Sequence, residues 1–168
     1  PPASDITNNT NVLREDVAEA EVELLKTYAP QMDGLRYFAI GGNHDMSLIT
    51  NSGMDPIRML CDARPDFAYG GYTLWSIRLT DKSYIRLVHP RGGASYARSY
   101  KLQKRMEQMA FEALRQAMVE DQPPMTSILV MGHYHIMNFD PSPPMHGMLA
   151  GAFQGQTGLL KELGLTPA

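Results

Sequence analysis

The sequence predicts an α/β fold with a mixed sheet. Short apolar stretches typical of buried strands alternate with amphipathic helical stretches along the 168 residues. Two strands in the middle of the chain are separated only by Thr80-Asp81-Lys82, which predicts an antiparallel hairpin within the alternating pattern. A layered arrangement of helices on a mixed sheet accommodates both features.

The first elements are expected in this order. Residues 1–12 are rich in Pro, Ser, Asn and Thr and are expected to be a loop or an exposed end. The apolar spacing of residues 14–28 predicts an amphipathic helix with acidic residues on its outer face. Residues 35–40 are expected to form a buried strand that ends directly in Gly41-Gly42-Asn43-His44-Asp45.

The later elements follow the same alternation. Asp55-Pro56 is a common helix start and predicts a short helix over 56–61. The hairpin strands are expected over 73–79 and 83–88, the longest helix over 97–119 and a continuous apolar strand over 126–131.

Four of the five histidines directly follow the ends of three predicted strands: His44, His89, His133 and His135. Loops at strand ends converge while the sheet holds them in place, so ligands gather there. Neutral imidazole binds zinc, iron, manganese or nickel, and protonated imidazole is a general acid. Any one histidine is equally consistent with a packing or surface role, but four at three strand ends favour a metal or catalytic site.

The local spacing around these histidines indicates how they converge. In an extended segment, His133 and His135 would project to the same side, and Gly132 would allow the backbone to approach a ligand closely. Asn43 and His44 follow two glycines, which predicts a tight turn that places an amide oxygen and an imidazole together. The fifth histidine, His146, is expected to lie in a loop.

In this order, Gly42-Asn43-His44-Asp45, His89 and Gly132-His133-Tyr134-His135 resemble the calcineurin-like metallophosphoesterase family over roughly residues 4–151. The family also carries an Asp-x-His strand end and a Gly-Asp-x-x-Asp segment. The resemblance implies a four-layer α/β/β/α sandwich with mixed sheets. Because nothing upstream matches Asp-x-His, residues 1–168 are expected to be one partial domain that lacks the first strand or strands.

The resemblance also implies the chemistry. Family members hydrolyse phosphate esters with two divalent metal ions, such as Mn, Zn, Fe or Ni, and a hydroxide that bridges them attacks phosphorus in line. Carried over by position, Asn43, His89 and His133 would hold one metal and His135 the other. His44 would assist the leaving oxygen by donating a proton or a hydrogen bond.

For Asp45 and Asp5, the sequence leaves two interpretations open. Asp45 would either orient the turn at the site or cap that turn locally. Asp5, in Ser4-Asp5-Ile6-Thr7-Asn8, is the candidate for the bridging metal ligand, in an altered Gly-Asp-x-x-Asp segment; the alternative is a loop aspartate. Without the two Asp-x-His ligands, the expectation is one firmly bound metal and one weak or absent metal.

Charge distribution bears on the substrate. The net charge of -3 argues against a general polyanion binder, but Lys82 to Arg105 contains seven basic residues and no acidic one. That stretch would attract a phosphate-bearing substrate, or it is a solvated helix face with loop charges. Arg91, beside Gly92-Gly93, is expected to bind a phosphate oxygen in a bidentate way; the alternative is a solvated turn.

The segments His-Pro-Arg-Gly-Gly (89–93), Gly-His-Tyr-His (132–135) and Phe-Gln-x-Gln-Thr (153–157) resemble the phage and microbial branch of DNA-repair-exonuclease-like phosphoesterases. This implies a phosphodiesterase or nuclease with nucleic acid as the substrate class, and DNA is one candidate. The alternative is a degraded or truncated domain that binds one metal or nucleic acid without turnover.

The remaining predictions concern the cellular setting. No apolar run is long enough to span a bilayer, and no signal-peptide pattern is present at the start, so no membrane partner is expected. The single cysteine, Cys61, excludes an internal disulfide framework and a cysteine-built zinc site. A cytoplasmic location is the expectation.

Overall fold

The computed structural model describes residues 14–93, 95–121, 125–152, 158–162 and 164, without the side chains of 14–17 and 159–160. The elements of the described residues are α1 (Arg14–Tyr28), β1 (Tyr37–Gly41), α2 (Asn43–Ser52), α3 (Pro56–Ala63), β2 (Phe67–Tyr72), β3 (Leu74–Thr80), β4 (Ser83–Val88), α4 (Tyr100–Ala117), β5 (Met125–Met131), β6 (Asn138–Asp140), β7 (His146–Leu149) and α5 (Gly158–Glu162).

The chain forms two compact units, an N-terminal unit, Pro1–Tyr72, and a C-terminal unit, Thr73–Ala168. Both combine helices with strands, so the α/β class is confirmed. The expectation of one domain over 1–168 stays a prediction. No helix in the described part of the chain is long and apolar enough to cross a membrane.

In the N-terminal unit, β1 and β2 pair in parallel, and the ring of Tyr37 stacks on its register partner Phe67 at 4.3 Å. Helix α1 packs against α3. Arg64, only 6% exposed, joins these elements because its guanidinium donates to the carbonyls of Lys26 and Ala29 at 3.0 and 3.1 Å. Those carbonyls lie at the C-terminal end of α1, where the helix itself offers no donors.

Helix α3 begins as its sequence predicts. Asp55 is the N-cap and accepts from the backbone N–H of Arg58 at 2.9 Å, and Pro56 follows it. The hydroxyls of Tyr69 and Tyr72 donate to the same carboxylate at 2.7 and 2.6 Å. Burial raises the pKa of Asp55, but hydrogen bonds from Tyr72 and Tyr69 outweigh it and lower that pKa below its usual value.

The C-terminal unit contains a five-stranded sheet of order β3-β4-β5-β7-β6. The β3–β4 and β6–β7 pairs are antiparallel, whereas β4–β5 and β5–β7 are parallel. The predicted mixed sheet and its central hairpin are therefore confirmed. Helix α4 packs on β5 and β7 over an apolar core: Val88, Leu102, Met106, Met109, Leu129, Met131, Tyr134, Ile136, Met145 and Leu149.

Several elements differ from the sequence prediction. The turn expected at Asn43-His44 is wrong, because these residues begin α2, for which Gly42 is the N-cap. Strand β2 was not expected, since Gly70-Gly71 in its middle suggests a turn. The prediction of a loop at His146 is also wrong, because this residue begins β7. Strands β7 and β6 have only four and three residues, which is too short for a periodic pattern in the sequence.

Candidate metal centre

Two of the predicted ligands meet at one edge of the C-terminal sheet. Strands β4 and β5 run parallel with Val88 opposite Met131, so the residues after them lie side by side. The backbone N–H of Gly132 continues the pairing by donating to the carbonyl of Val88 at 3.0 Å. His89 and His133 follow directly, at the carboxyl ends of the two strands, as the sequence predicts.

The imidazoles of His89 and His133 are in direct contact. Nδ1 of His133 lies 3.1 Å from Nε2 of His89, and the ring planes meet at 71°. Nε2 of His133 lies 2.8 Å from the carbonyl oxygen of Gly92. Because a carbonyl only accepts, Nε2 of His133 carries a hydrogen, and in the neutral ring Nδ1 then presents its lone pair towards His89.

The backbone at this turn is left-handed. His133 and His135 have φ angles of 80° and 57°, a region that non-glycine residues rarely adopt. The extended His-Tyr-His segment expected from the sequence is therefore wrong, and the two imidazoles do not share a side through strand alternation. Tyr134, between them, is 5% exposed and belongs to the core. Burial of this tyrosine holds the turn, and strained backbone of this kind clusters at functional sites.

The histidine pair fits a divalent cation. Zinc binds imidazole nitrogen at about 2.0–2.1 Å, so two nitrogens on one tetrahedral ion lie about 3.3–3.4 Å apart. The 3.1 Å separation of Nε2 of His89 and Nδ1 of His133 is within about 0.3 Å of that distance, so a small movement of the rings would admit the ion. A metal-bound histidine usually donates its other ring N–H to a carbonyl or carboxylate, which is the relation between His133 and Gly92.

A third His, Cys, Asp or Glu ligand is not found beside this pair among the described residues. Within the described ranges, no group of three or more His, Cys, Asp or Glu side chains is placed to hold an ion, so His135 does not join His89 and His133 in such a group. Asp5, with its neighbours Ser4 and Asn8, lies outside the described residues. The C-terminal unit thus supplies two nitrogen ligands at one point.

The other predicted site residues, Asn43, His44 and Asp45, form the first turn of α2 in the N-terminal unit. Asn43 and His44 are exposed. Oδ2 of Asp45 accepts from the backbone N–H of Gly42 at 2.6 Å, which is the local cap considered for it. That cap also fixes the backbone that presents Asn43 and His44 at a helix N-terminus.

Glu21 of α1 is a neighbour that the sequence did not single out. Burial raises the pKa of Glu21, the carboxylate of Asp45 raises it further, and His44 lowers it. The charges of Asp45 and His44 therefore act on the pKa of Glu21. In the sequence, Glu21 is one of several acidic residues on the outer face of α1. Nothing in that pattern distinguishes it from glutamates that only contact solvent.

A cavity of 460 Å³ adjoins His89 in the C-terminal unit. Arg91 and Arg105 line it together with His89, and its other walls are mainly apolar: Thr73, Leu74, Val88, Pro90 and Met131. Arg91 therefore lies beside His89 at this cavity, and its binding of a phosphate oxygen stays a prediction. Arg105 was not predicted as a site residue, although it closes the basic stretch that starts at Lys82.

No protein-family model, curated protein or solved structure matches this chain.

Proposed function

We propose that this chain is part of a calcineurin-like metallophosphoesterase, a metal-dependent hydrolase of phosphate esters whose complete domain is a four-layer α/β/β/α sandwich. The observation that carries the proposal is the pairing of Nε2 of His89 with Nδ1 of His133, 3.1 Å apart at the ends of adjacent parallel strands. Two imidazoles in that relation suit one divalent cation. The order of the surrounding motifs along the chain is the second support.

Each residue has a role in this proposal. His89 and His133 hold one ion, and His135 belongs to the second. Asn43 and Asp5 stay the further ligands that the resemblance implies. When bound, the ions polarise the phosphate and activate water for in-line attack at phosphorus. The Gly92 carbonyl keeps His133 in the tautomer whose Nδ1 lone pair is available.

His44 and Arg91 act on the substrate rather than on the metal. His44 is exposed in the first turn of α2, where its imidazole is accessible to donate a proton or a hydrogen bond to the leaving oxygen. Arg91 is exposed on the cavity beside His89, where its guanidinium can donate two hydrogen bonds to a phosphate.

The substrate class follows from charge. The basic stretch Lys82–Arg105 includes Arg91 and Arg105 of the cavity and contains no carboxylate. Such a surface attracts a polyanion. We therefore assign a phosphodiester of nucleic acid, with single-stranded DNA as the first candidate.

The test is hydrolysis of bis(p-nitrophenyl) phosphate and of a single-stranded DNA by the full chain, with Mn²⁺, Zn²⁺, Fe²⁺ or Ni²⁺ supplied in turn. His44→Ala is expected to lower kcat by about 10²–10⁴-fold, the usual contribution of an acid catalyst, without loss of bound metal. The matched control is His146→Ala, which removes an exposed histidine from β7 and should leave the rate unchanged. Metal loss in His44→Ala would make His44 a ligand and contradict its assigned role.

A second candidate is a domain that binds one metal or nucleic acid without turnover. It is favoured by the presence of only a histidine pair, with no third His, Cys, Asp or Glu ligand beside it, among the described residues. In that case the chain binds metal or DNA, but with each of the four metals the hydrolysis rate equals that of buffer alone. That result would replace the hydrolase proposal.

A further inference from the structure

The two arginines of the cavity beside His89 differ from the structural arginine of this protein. Arg64 is buried, and its guanidinium is fully engaged by Asp66 and by main-chain carbonyls. In contrast, neither Arg91 nor Arg105 forms an ion pair within the described part of the chain. Among the residues that the structure describes, no carboxylate lines the cavity with them.

Arg105 is the more unusual of the two. It is half-buried on α4, and its Nε is buried without a hydrogen-bond partner among the described residues. A buried donor on a cation that has no acceptor costs free energy, and such groups in a native fold call for an explanation. An anion that enters the cavity would supply the opposite charge that this guanidinium lacks among the described residues.

We infer that this cavity is a phosphate-binding site in which the guanidiniums of Arg105 and Arg91 bind the oxyanion next to His89. The volume of 460 Å³ admits a phosphate group with part of its ester. A guanidinium matches the oxygens of a phosphate with parallel N–H donors. The inference deepens the proposed function, because the bound group is that of the proposed substrate, but binding itself requires no metal.

The experiment is a calorimetric titration of the full chain with inorganic phosphate in the presence of a chelator, which measures the dissociation constant. Arg105→Met is expected to weaken phosphate binding by about tenfold or more, since a charge-assisted hydrogen bond is lost. The matched control is Lys104→Met, which removes the same charge from an exposed neighbour on α4 and should change affinity less than twofold. Arg105→Lys, which keeps the charge but not the planar donors, is expected to fall between the two.

The outcomes separate this inference from the proposed function. If wild-type protein does not bind phosphate, or if Arg105→Met and Arg105→Lys both bind as wild type does, the inference is overturned even where hydrolysis is observed. If phosphate binds and depends on Arg105 while no metal supports turnover, the site stands and the hydrolase proposal fails. In an active enzyme, Arg105→Met should raise KM far more than it lowers kcat. Circular dichroism of each variant establishes that it is folded.

Discussion

His133 is held at both ring nitrogens, by His89 on one side and by the Gly92 carbonyl on the other. The sequence indicates that these residues gather, because each follows a strand of a predicted sheet. It does not indicate the left-handed backbone at His133 and His135. Tyr134, between them, is buried in a core assembled from distant elements. The conformation at His133 and His135 therefore cannot be predicted from the local sequence pattern.

At the same scale, Asp55→Ala should lower the free energy of unfolding by about 1–2 kcal/mol at pH 7, because the cap of α3 is lost. The tyrosine hydroxyls of residues 69 and 72 also lose their acceptor. Urea denaturation measures the change. Asp62→Ala, an exposed position of α3, is the matched control and should stay within about 0.5 kcal/mol of wild type.

The difference in free energy of unfolding between wild type and Asp55→Ala should depend on pH in a defined direction. Since the pKa of Asp55 is lowered in the folded state, its carboxylate contributes fully above the pKa of the unfolded chain, about 4. The contribution is lost as the pH falls through the lower folded-state pKa. The gap between wild type and Asp55→Ala should therefore narrow below about pH 4. A gap that widens on acidification would contradict the assignment.

Elements with a strong period or a start signal were predictable, and short ones were not. The hairpin and α4 follow from alternation and from a long apolar stripe, and α3 follows from Asp55-Pro56. Strands β6 and β7 have three and four residues, and their place in the sheet depends on the pairing of β7 with β5 and of β6 with β7. Helix α2 was missed because a polar stretch after two glycines resembles a turn, whereas its cap comes from Asp45.

The contact of β7 with α4 depends on the absence of a side chain at Gly147. A Cβ there would clash with Sδ of Met106 and lie 3.0 Å from Cδ1 of Leu102. Gly147→Ala should therefore destabilise the protein by about 1–3 kcal/mol, the usual cost of overpacking. Thermal unfolding measures it. Gly158→Ala, in α5 with open space around its Cβ position, should be neutral or slightly stabilising.

The end of α1 depends on Arg64 in the same way. Arg64→Met leaves the carbonyls of Lys26, Ala29 and Pro30 without their donor, so the urea midpoint should fall. Arg36→Met removes an exposed arginine of the same unit and should leave the midpoint unchanged. Equal midpoints for the two variants would show that the capping of α1 by Arg64 is dispensable.

For the whole molecule, the α/β class and the mixed sheet follow from the alternation of elements, and the structure bears them out. The division into two compact units was not expected. Its boundary lies between β2 and β3, at Tyr72 and Thr73. Gly70 and Gly71 stand just before it, but they belong to strand β2 and form no separate linker. The four-layer sandwich stays a prediction, because it would depend on how sheets stack, which periodicity within single elements does not encode.

Metal content is the prediction that belongs to the whole chain. With His89 and His133 paired and the Asp-x-His motif missing, the protein should retain one divalent ion per chain after dialysis. Elemental analysis of the dialysed protein counts the ions. His89→Ala and His133→Ala should each lose that ion, whereas His146→Ala should keep it. Two tightly held ions in wild type would contradict the ligand count.

The most direct test is imidazole ¹⁵N NMR of the full chain during a titration with Zn²⁺. Before zinc, His133 should be the tautomer with hydrogen on Nε2, because that nitrogen donates to the Gly92 carbonyl. At one equivalent, Nε2 of His89 and Nδ1 of His133 should both shift to metal-bound values, while His146 does not change. Zinc binding that leaves those two nitrogens unshifted, or no binding at all, would contradict a metal centre at this pair.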